Sequence, residues 1–101
     1  MLVTDDENIH RQLIEVTLIS ELGLKKENID FCSDGAQATE QILNDMEKKM
    51  GNENHQQYNL MILDYHLPFL NGLDVIKKCK EIYTKKGVPF PRVLILTAIE
   101  D

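Results

Sequence analysis

Three short apolar runs constrain the fold of this 101-residue chain more than any other feature. They lie at residues 2–4, 60–63 and 93–96, and polar residues follow each of them directly. Strands this apolar are usually buried on both faces, which is typical of a parallel sheet. The runs therefore predict three strands of one parallel sheet, and a shorter apolar segment at residues 29–32 predicts a fourth.

Helical patterns separate these strands, because apolar residues recur at spacings of three and four over residues 8–22, 36–50 and 73–83. The alternation of strands and helices predicts an α/β fold with right-handed crossovers. The predicted inner faces are Ile9, Leu13, Val16 and Ile19 or Ser20 in the first helix, Ala38, Ile42, Leu43, Met46 and Met50 in the second, and Leu73, Ile76, Cys79 or Lys80 and Tyr83 in the third.

Length and composition exclude several classes of protein. A chain of 101 residues with 43% hydrophobic residues can bury one core. A net charge of −6 without a visible basic patch argues against direct nucleic-acid binding. No apolar run approaches the roughly 20 residues of a membrane span, and no secretory signal opens the sequence. Cys32 and Cys79 lie in apolar stretches and are predicted to be reduced packing residues, so we expect a single cytoplasmic domain.

Polar side chains that carry oxygen atoms stand where the three apolar runs end. They are Asp5 and Asp6 after the first run, Asp64 after the second and Thr97 after the third. Because the carboxyl ends of parallel strands form a common crevice, we expect these four side chains to meet at one edge of the sheet. Taken singly, each has a structural alternative: the acidic pair can favour the first helix N-terminus, Asp64 can be a loop residue, and Thr97 can be structural.

Three neighbouring carboxylates repel one another unless a cation neutralises them. The candidate ligands are all oxygen atoms, with no histidine nitrogen or cysteine sulfur among them. Such a hard ligand set suits Mg²⁺. Such a site can perform phosphoryl transfer, since a carboxylate can attack phosphorus to form an acyl phosphate while the metal screens the phosphoryl oxygens. The hydroxyl of Thr97 can then donate to a phosphoryl oxygen.

The segment 64–72, Asp-Tyr-His-Leu-Pro-Phe-Leu-Asn-Gly, resembles the phosphoacceptor loop of response-regulator receiver domains. That loop reads Asp, two residues, Met or Leu, Pro, two residues, Asp or Asn, Gly. Residues 2–7, 33–38 and 93–98 resemble the family's first strand with its acidic pair, its turn into the second helix, and its fourth strand with the switch hydroxyl. The four motifs cover essentially the whole chain, and the resemblance implies a flavodoxin-like, doubly wound parallel sheet with strand order 2-1-3-4.

The resemblance also implies a role for each matching residue. Asp64 would be the phosphorylated aspartate. Asp6 and Asp64 would coordinate Mg²⁺, with Asp5 assisting directly or through water and the backbone carbonyl of His66 supplying a further ligand. Thr97 would bind the phosphoryl group and move when it arrives.

The function implied by the resemblance is that of a phosphoacceptor in a two-component phosphorelay. The phosphoryl donor would be a phosphohistidine on a histidine kinase or a histidine phosphotransfer protein, and the chain would catalyse only its own phosphorylation and dephosphorylation. One alternative is a degenerate receiver that acts as an interaction or dimerisation module. The other is a phosphohydrolase with an Asp nucleophile, which is disfavoured because His66 stands where such enzymes commonly carry a second Asp.

The chain departs from the family pattern in two respects. The polar segment 51–59 is longer than the usual connection and is predicted to be a solvated loop insertion. The family continues with a helix, a lysine-bearing fifth strand and a final helix, which residues 1–101 do not contain, so we expect an incomplete receiver domain. The fourth strand, 93–96, would then lie at the edge of the sheet and favour self-association.

Overall fold

The computed structural model describes residues 1–67 and 70–96. A short 3₁₀ turn, Lys26–Asn28, was not expected from the sequence. The strands are Leu2–Thr4 (β1), Asp30–Cys32 (β2), Leu60–Asp64 (β3) and Arg92–Leu96 (β4), and the helices are Asn8–Ser20 (α1), Gly35–Gly51 (α2) and Gly72–Lys86 (α3).

All four strands are parallel and lie in the order β2-β1-β3-β4. The predicted topology is therefore confirmed. Val3 pairs with Phe31 on one side and with Ile62 on the other, and Ile62 in turn lies beside Leu94. Because side chains alternate along a strand, these residues share one face of the sheet and their neighbours share the other.

One face of the sheet packs against α2 and α3. The buried residues of this layer are Leu2, Cys32, Ala38, Ile42, Met46, Met61, Leu63, Leu67, Val75, Cys79 and Tyr83. The Tyr83 hydroxyl donates a hydrogen bond to the carbonyl of Ile42 at 2.5 Å and so ties α3 to α2. Burial raises the pKa of the Tyr83 phenol above its ordinary value, because the charged form would lose its hydration there.

The opposite face packs against α1, but not through the residues that the sequence pattern suggested. Ile9, Leu13 and Val16 were predicted to point inward, and they are 69%, 61% and 59% exposed. Leu18 is buried instead, and Ile14 packs partly against the same cluster. The prediction was wrong because α1 carries apolar residues on two opposite sides, so helical spacing alone does not decide which side meets the sheet.

The two other helices were predicted more accurately. Cys79 and Tyr83 of α3 are fully buried, but Leu73 is 41% exposed and Val75 takes its place in the core. The end of α2 also differs, since Met50 is 51% exposed.

Local hydrogen bonds explain where α3 begins and ends. The Asn71 side chain accepts from the backbone N–H of Asp74 at 3.0 Å and caps the first turn. The helix continues to Lys86 and stops at Gly87, whose φ of 69° is a left-handed conformation that glycine adopts without a steric penalty. The predicted end at Tyr83 was therefore one turn too early.

The connection between α2 and β3 is more ordered than a solvated loop. Asp45, a buried residue of α2, accepts hydrogen bonds from Nε2 of His55 at 2.7 Å and from the backbone N–H of Tyr58 at 2.9 Å. The Tyr58 hydroxyl donates to the carboxylate of Asp30. Burial, reinforced by this hydrogen bond, raises the pKa of Tyr58. One buried carboxylate thus fastens the middle of the loop and the segment just before β3.

Both cysteines are buried and unbonded, at 4% exposure for Cys32 and 0% for Cys79. Burial raises the pKa of the Cys32 thiol to about 11, and the nearby carboxylates of Asp30 and Asp34 act in the same direction. Thiols in such surroundings stay protonated and unreactive, as the prediction of packing residues requires. Among residues 1–67 and 70–96, no helix is both long and apolar enough to cross a membrane.

Gly35, the first residue of α2, packs against Leu70 near the end of the segment 64–72. A Cβ at Gly35 would lie 2.5 Å from the carbonyl oxygen of Leu70, so we expect Gly35→Ala to reduce the free energy of unfolding by about 1–3 kcal/mol. Gly51→Ala is the matched control, because no atom lies within 4 Å of its added Cβ. That variant should change stability by less than about 1 kcal/mol. Urea unfolding measures both, and equal stability of the two variants would contradict the close approach.

Candidate functional site

The end of β1 places Asp5 inside the protein. The residue is 3% exposed, and its backbone N–H donates to the carbonyl of Cys32 at 3.1 Å. Its carboxylate accepts the backbone N–H of Glu7 at 2.9 Å. The chain therefore turns sharply after the strand, and Asp6 follows as an exposed residue at the rim.

Two side chains of α1 lie close to Asp5, although neither was among the predicted site residues. The Arg11 guanidinium donates to the main-chain carbonyl of Asp5 at 2.5 Å. Nδ1 of His10 lies 3.5 Å from the Asp5 carboxylate, and its Nε2 lies 3.5 Å from that of Glu7. Their positions could have identified them from the sequence. They follow Asp5 by five and six residues, which places both side chains on the first turn of the helix.

Asp64 stands at the end of β3, in the centre of the same sheet edge. One of its carboxylate oxygens accepts the backbone N–H of His66 at 3.0 Å, which fixes the start of the following loop. A Cβ at Gly72 would lie 3.0 Å from the main-chain carbonyl of Asp64. The absence of a side chain at Gly72 thus lets the first turn of α3 approach the strand end closely.

Parallel pairing brings the three carboxylates together. β1 and β3 are neighbours, with Thr4 beside Leu63, so the residues that follow each strand emerge side by side. Carboxylate oxygens of Asp5, Asp6 and Asp64 all lie within 4.8 Å of one another. This is the juxtaposition that the strand-end positions predicted.

The donor set of this cluster fits a hard divalent cation. It consists of carboxylate oxygens from three residues. Asp5 is buried, Asp64 is half-buried and Asp6 is exposed. Mg²⁺ typically binds one or two carboxylates and keeps several waters, which an open rim permits. Asp6 and Asp64, with their greater exposure, are the residues placed to reach such an ion, and Asp5 stands behind them.

Two of the predicted site residues, His66 and Thr97, are not part of the carboxylate cluster that the structure describes. The side chain of His66 is exposed and makes an edge-to-face contact with Tyr65, with 5.0 Å between ring centroids. Thr97 lies outside the described residues, as does Pro68 of the loop. β4 is described as far as Leu96, which pairs with Asp64.

Comparison with known proteins identifies relatives of the whole chain. No family model matches it. Sensory/regulatory protein RpfC of Xanthomonas campestris is 31% identical over 98 residues, which are 97% of this chain and 11% of that protein. Two-component response regulator ARR17 of Arabidopsis thaliana is 31% identical over 99 residues, which are 97% of this chain and 60% of that protein. The chain thus spans less than two thirds of the length of either relative.

Solved structures show the same fold. The receiver domain of the histidine kinase CKI1 from Arabidopsis thaliana, complexed with Mg²⁺ and BeF₃⁻, superposes with a TM-score of 0.82 at 18% identity. The match covers 99% of this chain and 66% of that one. The bacteriophytochrome response regulator AtBRR matches with a TM-score of 0.67 at 23% identity, over 97% of this chain and 65% of that one.

The chain has the fold of response-regulator receiver domains and resembles them along nearly its whole length. The sequence relatives, the strand order and the acidic edge all agree with the resemblance noted in the sequence, which is confirmed for the fold. The four parallel strands form the flavodoxin-like sheet that the resemblance implied.

The crowding of three carboxylates should lower the free energy of unfolding of this chain when no divalent ion is bound. We expect Asp6→Asn, measured with EDTA, to be more stable than Glu7→Gln by about 0.5–1 kcal/mol, because only the first variant relieves repulsion within the cluster. Glu7→Gln is the matched control, since both residues precede α1 and lose the same charge near its N-terminus. Urea unfolding of the two variants is the measurement, and a less stable Asp6→Asn would argue against repulsion at this edge.

Proposed function

We propose that this receiver domain accepts a phosphoryl group on Asp64 with the help of Mg²⁺. The observation that supports the proposal most strongly is the carboxylate cluster at the carboxyl edge of the sheet, where Asp5, Asp6 and Asp64 converge within 4.8 Å. Helix capping accounts for an acidic pair before α1, but it does not account for Asp64 on the neighbouring strand.

The metal would be held by Asp6 and Asp64, with Asp5 acting directly or through water and the backbone carbonyl of His66 as a further ligand. A bound Mg²⁺ would neutralise the carboxylates and screen the oxygens of the incoming phosphoryl group. The structure of the CKI1 receiver domain complexed with Mg²⁺ supports, by analogy, Mg²⁺ as the ion.

In the proposed transfer, a carboxylate oxygen of Asp64 attacks phosphorus while the phosphorus–nitrogen bond of a donor phosphohistidine breaks. The electron pair of that bond returns to the donor imidazole, and an acyl phosphate remains on Asp64. Thr97 would bind a phosphoryl oxygen and move with it, which would convert the modification into a change of conformation. The chain would act on itself alone and release no diffusible product other than phosphate on hydrolysis.

The proposed donor is a histidine kinase or a histidine phosphotransfer protein of the cytoplasm. The unexpected exposure of Ile9, Leu13 and Val16 supports a protein partner, because these residues form an apolar stripe along α1 that starts beside the acidic edge. Exposed apolar stripes of this kind commonly mark protein interfaces. A helical partner lying along α1 would bring its phosphohistidine towards Asp64.

A receiver domain that only binds partners is the competing function. The two functions differ in whether the acidic edge binds a phosphoryl group, and this difference can be measured directly.

Beryllofluoride with Mg²⁺ mimics the acyl phosphate and should stabilise a working phosphoacceptor site. A ligand present at about a hundred times its Kd stabilises the native state by about 2.7 kcal/mol, which raises the Tm of a domain this size by roughly 10 °C or more. We expect this rise in a thermal melt of the wild-type chain and none in Asp64→Asn.

Asp74→Asn is the matched control for that melt, because it makes the same chemical change at an exposed position in the first turn of α3. It should keep the wild-type shift. A cooperative wild-type melt without any shift would favour the interaction module, and an equal shift in Asp64→Asn would move the binding site away from Asp64.

We also propose that copies of this 101-residue chain associate through β4. Among the described residues, β4 pairs with β3 on one side only, which leaves its other backbone edge without a partner strand. Leu94 and Leu96, on the α1 face of the sheet, are 50% and 37% exposed. Apolar edge strands are templates for pairing with another chain.

Sedimentation velocity tests this association. The wild-type sedimentation coefficient should rise with concentration, and Leu94→Lys should reduce that rise because a charge on the strand disfavours pairing. Leu22→Lys, at a position 66% exposed beyond the end of α1, should not. A wild-type chain that stays monomeric over the whole concentration range would refute the proposal.

A further inference from the structure

The basic residues of this chain are distributed unevenly over its sheet. Arg11 is the only lysine or arginine among residues 1–24, and residues 27–47 and 50–76 contain none. The parallel strands all run towards the edge that carries the carboxylate cluster, and the helices start there and run away from it. Among the described residues, Arg11 is therefore the only basic residue in the first turn of a helix at this edge.

Two hydrogen bonds hold the Arg11 guanidinium beside the cluster. One of its nitrogens donates to the main-chain carbonyl of Asp5 at 2.5 Å, directly after the end of β1. The other terminal nitrogen donates to the side-chain oxygen of Asn8 at 3.3 Å. Arg11 is only partly exposed, and a planar guanidinium that is bonded at two points has little freedom to turn away. Its positive charge is therefore fixed next to the residue that precedes Asp6.

The charge of Arg11 is not paired with any one carboxylate. Within residues 1–67 and 70–96 its guanidinium forms no ion pair. A hydrogen bond to a carbonyl does not require a charged donor, so the positive charge acts on Asp5, Asp6 and Asp64 together. Attraction between charges near a protein surface is several times stronger than in bulk water. Arg11 thus offsets part of the repulsion among the three carboxylates.

We propose that Arg11 is a built-in counter-charge that partly takes the place of a divalent ion at the acidic edge and weakens the binding of Mg²⁺ there. Its attraction to the carboxylates stabilises the fold when no ion is bound, whereas its repulsion of Mg²⁺ opposes the ion when it arrives. Arg11 is not itself a ligand of the ion, because it acts through its charge. The inference rests on the Mg²⁺ site proposed at Asp6 and Asp64.

A purely structural role for Arg11 predicts the opposite change in Mg²⁺ affinity. If the guanidinium only held the turn after β1, its loss would loosen Asp5 and Asp6 and weaken the binding of the ion. A counter-charge predicts tighter binding when the charge is removed, because the ion then meets no positive neighbour at that position. The contact joins residues of the β1–α1 unit alone, so it holds whatever segment follows residue 101.

Calorimetric titration of the 101-residue chain with Mg²⁺ separates the two roles. At low ionic strength we expect Arg11→Gln to bind Mg²⁺ with a Kd about threefold or more below that of the wild type. Arg11→Lys keeps the charge and should stay within about twofold of the wild type. The gain in Arg11→Gln should shrink in about 1 M NaCl, because salt screens the repulsion that its loss relieves.

Lys25→Gln is the matched control, because it removes the same charge at an exposed position beyond the end of α1, at the opposite edge of the sheet. Its Kd should stay within about twofold of the wild type, since distant exposed charges are screened. Arg11→Met removes the charge and keeps an unbranched apolar side chain, so it should show the same gain as Arg11→Gln and replaces that variant if the glutamine does not fold.

Unchanged or weaker Mg²⁺ binding by the uncharged Arg11 variants, with cooperative thermal melts that show them to be folded, would overturn the counter-charge. An equal gain in Lys25→Gln would overturn it as well. Asp64→Asn separates this failure from that of the proposed function, because wild-type binding that Asp64→Asn weakens supports the ion at the acidic edge whatever Arg11→Gln does. If neither the wild type nor Arg11→Gln binds Mg²⁺, the proposed metal site fails and the counter-charge fails with it.

Discussion

The parallel pairing of β1 with β3 is the interaction on which the rest of the functional edge depends. It places Thr4 beside Leu63, and the residues that follow the two strands are then forced into one small volume. Three carboxylates within 4.8 Å oppose the fold that assembles them, because each adds negative charge to the same edge. A buried apolar sheet outweighs this repulsion, so the site can retain an arrangement that only a cation or a ligand relieves.

The first turns of α2 and α3 pack closely against the backbone of the segment 64–72. Gly72 lets α3 begin against the carbonyl of Asp64, and Gly35 lets α2 begin against Leu70. Both helices thus contact the backbone of the phosphoacceptor loop, one at its start and one near its end, without an intervening side chain. Any rearrangement at Asp64 would be passed to the first turns of two helices, since close-packed backbone has little room to absorb a displacement.

The surface of this chain presents two kinds of helix face. α1 exposes the apolar stripe of Ile9, Leu13 and Val16 next to the acidic edge, whereas α3 exposes lysines. The α2–β3 loop, fastened by the buried carboxylate of Asp45, lies at the other end of the sheet from Asp64. Helices of one layered fold can in this way offer chemically distinct surfaces while sharing the same core.

The sequence by itself determined the element types and the acidic residues at the strand ends, and its resemblance to receiver domains implied the strand order. Apolar runs that stop at Asp5 and Asp64 encode strands and their ends locally, and parallel crossovers have one favoured hand. Only the tertiary structure decided which side of α1 is buried, because Leu18 and Leu13 are equally apolar and the choice depends on the shape of the sheet they meet. It likewise decided that His10 and Arg11 surround Asp5 and that His55 bonds to Asp45, since polar contacts across a fold depend on distances that no local pattern specifies.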